Sequence, residues 1–147
     1  MKGILLLITL VVCFLFCFEK EEIRIRVISN SNEVNDINYK DDVVNYLKEE
    51  ILNNQKLTEK YFSDNYLDIQ KRLNEKFENI NVSYEYHNFP IKTYNGNVID
   101  EGKYKTLLIK IGNGLGSNWW GSVFEGSIKM DSKEEIKYEW YIKKYIE

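Results

Sequence analysis

Cysteine, histidine and proline are nearly absent from this sequence, which contains two, one and one of them respectively. Both cysteines, Cys13 and Cys17, lie in an apolar run near the start, so the chain from residue 19 onward has none. That part of the chain therefore has no means of forming a disulfide, a thiolate metal site or a cysteine nucleophile. The single histidine, His87, excludes the usual zinc sites, which need several His or Cys ligands. We expect no metal and no cofactor.

An excess of positive charge is also missing. Lys and Arg number 20 against 23 Asp and Glu, the formal net charge is −3, and no basic block appears. Proteins that bind nucleic acid carry surplus Lys and Arg to neutralise phosphates. A nucleic-acid partner is therefore not expected.

Catalytic motifs are lacking as well. His87 could serve as a base, but no G-x-S-x-G nucleophile motif accompanies it. Carboxylates are numerous, yet they fall on predicted helix surfaces, where solvation is the default. Because the constellation that an active site needs is absent, we expect a protein that is not an enzyme and has no small-molecule substrate. A hydrolase that uses His87 and a carboxylate stays as an alternative.

A long apolar run opens the chain. Lys2 supplies a positive start, and Ile4–Phe18 is interrupted only by Thr9, which is typical of a secretory signal or a short membrane anchor. The run would reach roughly 22 Å, short of the ~30 Å core of a bilayer. We assign residues 1–18 to a signal peptide or signal-anchor, with cleavage left open, and residues 19–147 to an exported domain.

Alternating apolar and polar residues predict strands over Glu22–Ser29 and Val82–Phe89, and a run of β-formers predicts another over Tyr104–Ile111. The polar face of the first strand carries Arg24 and Arg26. These are either solvated charges or a flat cationic surface for a partner.

Two helices are predicted between the first two strands. The first is capped by Asn35 or Asp36 and ends near Leu52. Thr58 opens the second, whose apolar stripe recurs at three- and four-residue spacing as far as Ile80. This stripe indicates core packing.

The remaining segments complete the expected fold. Asn95-Gly96 predicts a hairpin turn, Gly126–Asp131 a short loop, and Ser132 the cap of a C-terminal helix, Lys133–Ile146. A strand, two helices and a strand meander indicate an α+β single domain, in which a small antiparallel or mixed sheet carries one layer of helices. The N-terminal signal or anchor helix would precede it.

The most distinctive stretch is Ile111–Phe124, which reads IGNGLGSNWWGSVF. It is neither a dinucleotide fingerprint, since Ser117 replaces the third glycine, nor a P-loop, since no Lys-Ser or Lys-Thr follows. If the segment is extended, its adjacent Trp119 and Trp120 point to opposite faces. Either one indole is then exposed or the chain bends. A strand that fills the core and a recognition surface are both compatible with this pattern.

Three stretches together resemble the stage II sporulation protein R family: IRIRVISNSN from Ile23, HNFPIKTYNGNVIDEGKYKTLLIKIGNG from His87, and GLGSNWW from Gly114. The resemblance implies a secreted signal of endospore formation that activates a membrane-embedded aspartic protease, which processes the sigma-E precursor. It also implies a location between the forespore and mother-cell membranes, with possible membrane association through residues 1–18.

These motifs supply the residues that we expect to contact the partner. They combine flexible backbone, cationic and aromatic side chains: Gly112, Gly114, Gly116, Asn118, Trp119, Trp120, Arg24, Arg26, Asn30 and Tyr94. The alternative is an extracytoplasmic module that binds cell-wall glycan, because exposed Trp and Tyr rings stack on sugars.

The sequence departs from the family pattern directly after Trp120. Family members commonly continue with Cys and, after a Pro-rich loop, a second Cys, whereas Gly121 stands here and that loop is missing. If those cysteines form a disulfide in relatives, this chain must hold its Trp stretch by packing alone.

Overall fold

The computed structural model describes residues 22–94, 97–124 and 126–133 of the 147. The expected N-terminal signal or anchor helix, residues 1–18, lies outside the described residues. So does the expected C-terminal helix, Lys133–Ile146, apart from its first residue. Within the described ranges, no helix is long and apolar enough to cross a membrane.

A five-stranded sheet forms the centre of the fold. Its strands are β1 (Ile23–Ile28), β2 (Ile80–Phe89), β5 (Gly102–Ile111), β6 (Asn118–Phe124) and β7 (Ser127–Lys133). Their order across the sheet is β2-β5-β1-β6-β7. The pair β1 and β5 is parallel, and the other neighbours are antiparallel. The sheet is therefore mixed, and with its helices it gives the expected α+β architecture.

A small hairpin is inserted between β2 and β5. It consists of β3 (Lys92–Tyr94) and β4 (Asn97–Ile99), which form a separate two-stranded sheet. Tyr94 pairs with Asn97, which leaves two residues for the connection. This pairing confirms the hairpin predicted from Asn95-Gly96.

Two helices follow β1. The first, α1 (Val34–Tyr46), continues into one π-helical turn, Leu47–Ile51. The second, α2 (Glu59–Asn74), is capped as predicted by Thr58, whose side chain accepts a hydrogen bond from the amide of Tyr61. Satisfying one amide at the start of the helix is what a Thr cap contributes.

The predicted caps of α1 are wrong. The helix begins at Val34 with Glu33 in the cap position, and no side chain caps it. Asn35 and Asp36 lie inside the first turn. The carboxylate of Asp36 instead accepts hydrogen bonds from the side chains of the turn that precedes the helix.

The predicted extension of α2 to Ile80 is also wrong, because the helix ends at Asn74. The side chain of Asn74 bonds both the N–H and the C=O of Ile80, at 3.2 and 3.0 Å, and so fastens the helix end to the start of β2. Asn79, with φ of 58°, makes the reversal. Phe77 and Ile80 continue the helical spacing of apolar residues in the sequence, although they lie beyond the helix, because both side chains are buried in the same core.

Both helices contribute to the core on one face of the sheet. The odd-numbered residues of β1 and, from Leu107 onward, of β5 point to this face and are buried against apolar helix residues. Fully buried members of this core include Ile25, Val27, Leu107, Ile109, Val43, Leu47, Phe62 and Leu73. Arg24, Arg26 and Trp120 alternate with this set and therefore lie on the second face.

The predicted loop over Gly126–Asp131 is wrong from Ser127 onward, since those residues belong to strand β7, which pairs with β6. The predicted helix cap at Ser132 and helix start at Lys133 are wrong as well, because both residues belong to this strand. Gly126, with φ of 80°, turns the chain, and Ile128 is partly buried against the core. The charged residues Lys129, Asp131 and Lys133 made this strand hard to recognise in the sequence. An edge strand needs few apolar side chains, and charged ones discourage pairing with other chains.

Candidate functional site

Two loops lie close together at one end of the strands, because the neighbouring strands β1 and β5 are parallel and both finish at that end. The turn after β1 begins at Ser29, and the loop after β5 runs over Gly112–Ser117. Strand β6, which is antiparallel to β1, begins at this same end of the sheet with Asn118. The RVISNSN and GNGLGSNWW motifs are thus brought together in space.

Asn30 joins the two loops. Its side-chain oxygen accepts from the amide of Asn113 at 3.0 Å, and its backbone carbonyl accepts from the amide of Leu115 at 3.1 Å. Its side-chain nitrogen donates to Asp36 Oδ2 at 2.9 Å, and Ser31 Oγ donates to the same oxygen at 2.6 Å. One amide side chain therefore fixes the glycine loop to the turn and to the start of α1. We call Asn30, Ser31 and Asp36 with their partners the Asn30 junction.

The glycines of the loop are required by this close approach. A Cβ on Gly116 would lie 2.0 Å from the carbonyl oxygen of Ser31, and one on Gly112 would lie 2.5 Å from Asn30 Oδ1. Gly112 and Gly114 also have positive φ, 54° and 62°. The alternating glycines thus serve loop packing, and their backbone is occupied by contacts within the chain.

Lys40 is a buried charged residue that the sequence reasoning missed. It is 2% exposed, and its Nζ donates to Ser117 Oγ at 2.8 Å. A buried ammonium needs such partners because desolvation is costly. The burial of Lys40 could have been predicted, since it falls at helical spacing with Val43, Val44 and Leu47 on the buried side of α1.

The paired tryptophans lie on opposite faces of extended strand β6. Trp119 pairs with Val27, faces the helices and is 0% exposed. Trp120 pairs with Arg26 on the second face and is half-buried. Of the two indoles, only that of Trp120 is therefore partly accessible to solvent, while Trp119 acts as a core residue.

A cationic and aromatic cluster surrounds Trp120. The guanidinium carbon of Arg26 lies 4.7 Å from the centre of the Trp120 ring, and Arg26 Nε donates to Asn118 Oδ1 at 2.7 Å. The ring of Phe89 meets that of Trp120 edge-on, with centroids 4.8 Å apart. We call Arg26, Asn118, Trp120 and Phe89 the Arg26–Trp120 cluster. Its Arg and Trp are of the types that dominate binding energy at protein interfaces.

Arg24 lies on the same face but is engaged internally. It is 6% exposed, and its guanidinium forms an ion pair with Glu22 at 3.2 Å and stacks on Tyr104 at 4.4 Å. Ser122 also donates a hydrogen bond to Glu22. These contacts tie β1, β5 and β6 together, so Arg24 supports the cluster from within.

Two other residues singled out by the sequence belong to other strands. Tyr94 ends β3 and belongs to the separate two-stranded sheet. His87 lies in β2 with its Nε2 3.6 Å from Glu85 Oε1. Among the described residues, no three His, Cys, Asp or Glu side chains group in a way that would hold a metal ion.

A family model described as stage II sporulation protein R matches residues 19–134 of this chain. The match covers most of the 147 residues and includes both motifs of the Asn30 junction. The chain belongs to the stage II sporulation protein R family.

One curated relative is the stage II sporulation protein R of Bacillus subtilis (strain 168), 40% identical over 47 residues. That alignment covers 32% of this chain and spans only 21% of the relative. No solved structure matches the chain. The stage II sporulation protein R family is named for a stage of sporulation and is not an enzyme family.

Gly121 stands where the resemblance leads us to expect Cys, and the ring of Trp119 occupies the space beside it. A Cβ on Gly121 would lie 2.7 Å from Cη2 of Trp119. The indole of Trp119 therefore lies across the space that a cysteine side chain would need. At the position where the resemblance led us to expect a cysteine, this member of the stage II sporulation protein R family has Gly121 packed against the ring of Trp119.

We expect Gly116→Ala to destabilise the protein by about 2 kcal/mol or more, because a Cβ there overlaps the backbone of the turn after β1. Gly102→Ala is the matched control, since its Cβ would come no closer than 3.1 Å to its nearest neighbour, the side chain of Tyr104. Urea unfolding measures both changes. Equal stability of the two variants would contradict the packing role of Gly116.

Asp36 should make the Asn30 junction sensitive to acid. Hydrogen bonds from Ser31 and Asn30 lower the pKa of the Asp36 carboxyl below its ordinary value of 3.8. A lowered pKa in the folded state means that the carboxylate stabilises the fold above the ordinary pKa, and that this contribution is lost as the pH falls through the lowered value.

Asp36→Ala should therefore be less stable than the native chain at neutral pH, and the difference should shrink below about pH 3.8. Asp42→Ala is the control, because Asp42 is exposed on the same helix and has no hydrogen bond to a described side chain. Urea midpoints at several pH values measure the effect. A difference that persists unchanged at acid pH would show that the carboxylate charge is not involved.

Proposed function

We propose that this chain is a secreted or membrane-anchored signal of endospore formation, which activates a membrane-embedded aspartic protease to process the sigma-E precursor. The observation that carries the proposal is membership of the stage II sporulation protein R family over residues 19–134. The apolar residues 4–18 support export into the space between forespore and mother-cell membranes. They serve either as a cleaved signal or as an anchor.

The surface that meets the protease is the Arg26–Trp120 cluster. Its guanidinium and indole are held together at 4.7 Å and anchored by Asn118, so a partner would find them already ordered. Preordered side chains lose less conformational entropy on binding, which raises affinity. The half-buried Trp120 supplies aromatic area, and Arg26 supplies directed hydrogen-bond donors.

The same geometry argues against cell-wall glycan as the partner. Sugar rings stack on an open aromatic face. The ring of Trp120 already contacts the guanidinium of Arg26 and the ring of Phe89. Retention on purified peptidoglycan that depends on Trp120 would overturn this argument.

We expect Trp120→Ala and Arg26→Ala to reduce sigma-E precursor processing about tenfold or more, as for residues at the centre of an interface. Processing is measured in cells that co-express the chain, the protease and the precursor. Leu67→Ala is the control, since Leu67 is 62% exposed on α2, on the opposite side of the sheet. It should leave processing unchanged.

Trp119→Ala should behave differently from Trp120→Ala, because it opens a cavity in the core and costs about 3–5 kcal/mol of stability. Its loss of signalling should follow the loss of folded protein. A Trp120→Ala chain that is folded and signals fully would contradict the assigned surface.

A further inference from the structure

Strand β2 forms one edge of the sheet, and its first part is covered by α2. The outward N–H of Val82 donates to Gln70 Oε1 at 2.8 Å, and the N–H and C=O of Ile80 bond to Asn74. Side chains of α2 thus take the place of a neighbouring strand along this part of the edge. Natural sheets commonly cover their edges in such ways, since bare edges invite pairing with other chains.

The second part of β2 has no such cover among the described residues. Alternate residues of an antiparallel edge strand direct their N–H and C=O groups to the same side. Tyr86 and Asn88 therefore present these groups outward like Ile80 and Val82, but no described residue bonds to them from outside the sheet. Pro90, which lacks an N–H, follows the strand end.

The side chains beside this uncovered segment are aromatic and cationic. Tyr86 is 54% exposed, and the ammonium groups of Lys105 and Lys103 lie 4.8 and 5.7 Å from its ring centre. The pairings Tyr86 with Lys105 and Asn88 with Lys103 place these side chains on one face. Neither β2 nor β5 places an Asp or Glu on that face, since Glu85 points to the other.

We propose that the segment Glu85–Phe89 of β2 accepts an additional β-strand from an extended, acidic segment of a partner protein. The outward groups of Tyr86 and Asn88 would form the backbone hydrogen bonds. Carboxylates at alternate positions of the partner would replace the weak cation–π contacts of Lys103 and Lys105 with stronger charge-assisted hydrogen bonds. A second copy of this chain fits less well, because it would bring two further lysines to the same face. The segment shares Phe89 with the Arg26–Trp120 cluster, but Tyr86, Asn88, Lys103 and Lys105 lie on the other face of the sheet. The proposal stands without the proposed function.

The test uses the full chain in mild non-ionic detergent and a short fluorescent peptide that alternates Glu with Val. The matched probe alternates Lys with Val. Fluorescence anisotropy should show the Glu peptide binding about tenfold or more tightly than the Lys peptide. Equal binding of the two peptides, or no binding of the Glu peptide, would overturn the proposal.

Tyr86→Pro tests the edge itself, because it removes the outward N–H and leaves the hydrogen bonds to β5 intact. It should weaken binding of the Glu peptide about tenfold, whereas Tyr86→Thr, which keeps the N–H, should not. If Tyr86→Pro fails to fold, Lys103→Glu with Lys105→Glu should reverse the preference toward the Lys peptide. Equal binding by the two Tyr86 variants, an unreversed preference, or dimers of the chain that exclude the peptide would each overturn the proposal.

Discussion

The hydrogen bonds of Asn30 are the constraint on which the rest of the structure depends. Two neighbouring parallel strands finish at the same end of the sheet, so the loops that follow them lie side by side there. The polar backbone groups of these loops must find hydrogen-bond partners. Asn30 supplies an acceptor to Asn113 and a donor to Asp36 from a single side chain. An Asn side chain is suited to this because it carries both donor and acceptor at fixed separation.

Backbone hydrogen bonds next to the Asn30 junction set how β6 enters the sheet, and so how the tryptophans are divided. The amide of Gly116 donates to the carbonyl of Ser29, and that of Ser29 donates to the carbonyl of Ser117, which sets the register of Asn118 against Ile28. A shift of one residue would exchange the two faces. This register therefore places one indole in the core and the other beside Arg26.

The sequence predicted much of the architecture because its strands and helices differ clearly in period. The α+β class, the hairpin and the Thr58 cap follow from local rules that tertiary contacts did not override. Helix α2 ended early because the side chain of Asn74 bonds Ile80, a contact that apolar spacing does not encode. Strand β7 was missed because an edge strand can carry several charged residues and few apolar ones.

The site was only partly predictable, for a related reason. Alternation placed Trp119 and Trp120 on opposite faces but did not say which was buried. That depends on the pairing of β6 with β1, a long-range choice. The glycines suggested a surface, yet their spacing reflects contact with Asn30 and Ser31. Helical spacing was enough to predict the burial of Lys40, but not its hydrogen bond to Ser117.

Hydrogen exchange on the full chain, with Asn30 native or replaced by Ala, tests the central role of the junction most directly. The account predicts that Asn30→Ala removes protection of the Asn113 amide, and that the loss spreads through Leu115 to Asn118–Trp120 while β2 and β5 keep theirs. Equal protection of residues 113–120 in both chains would contradict it.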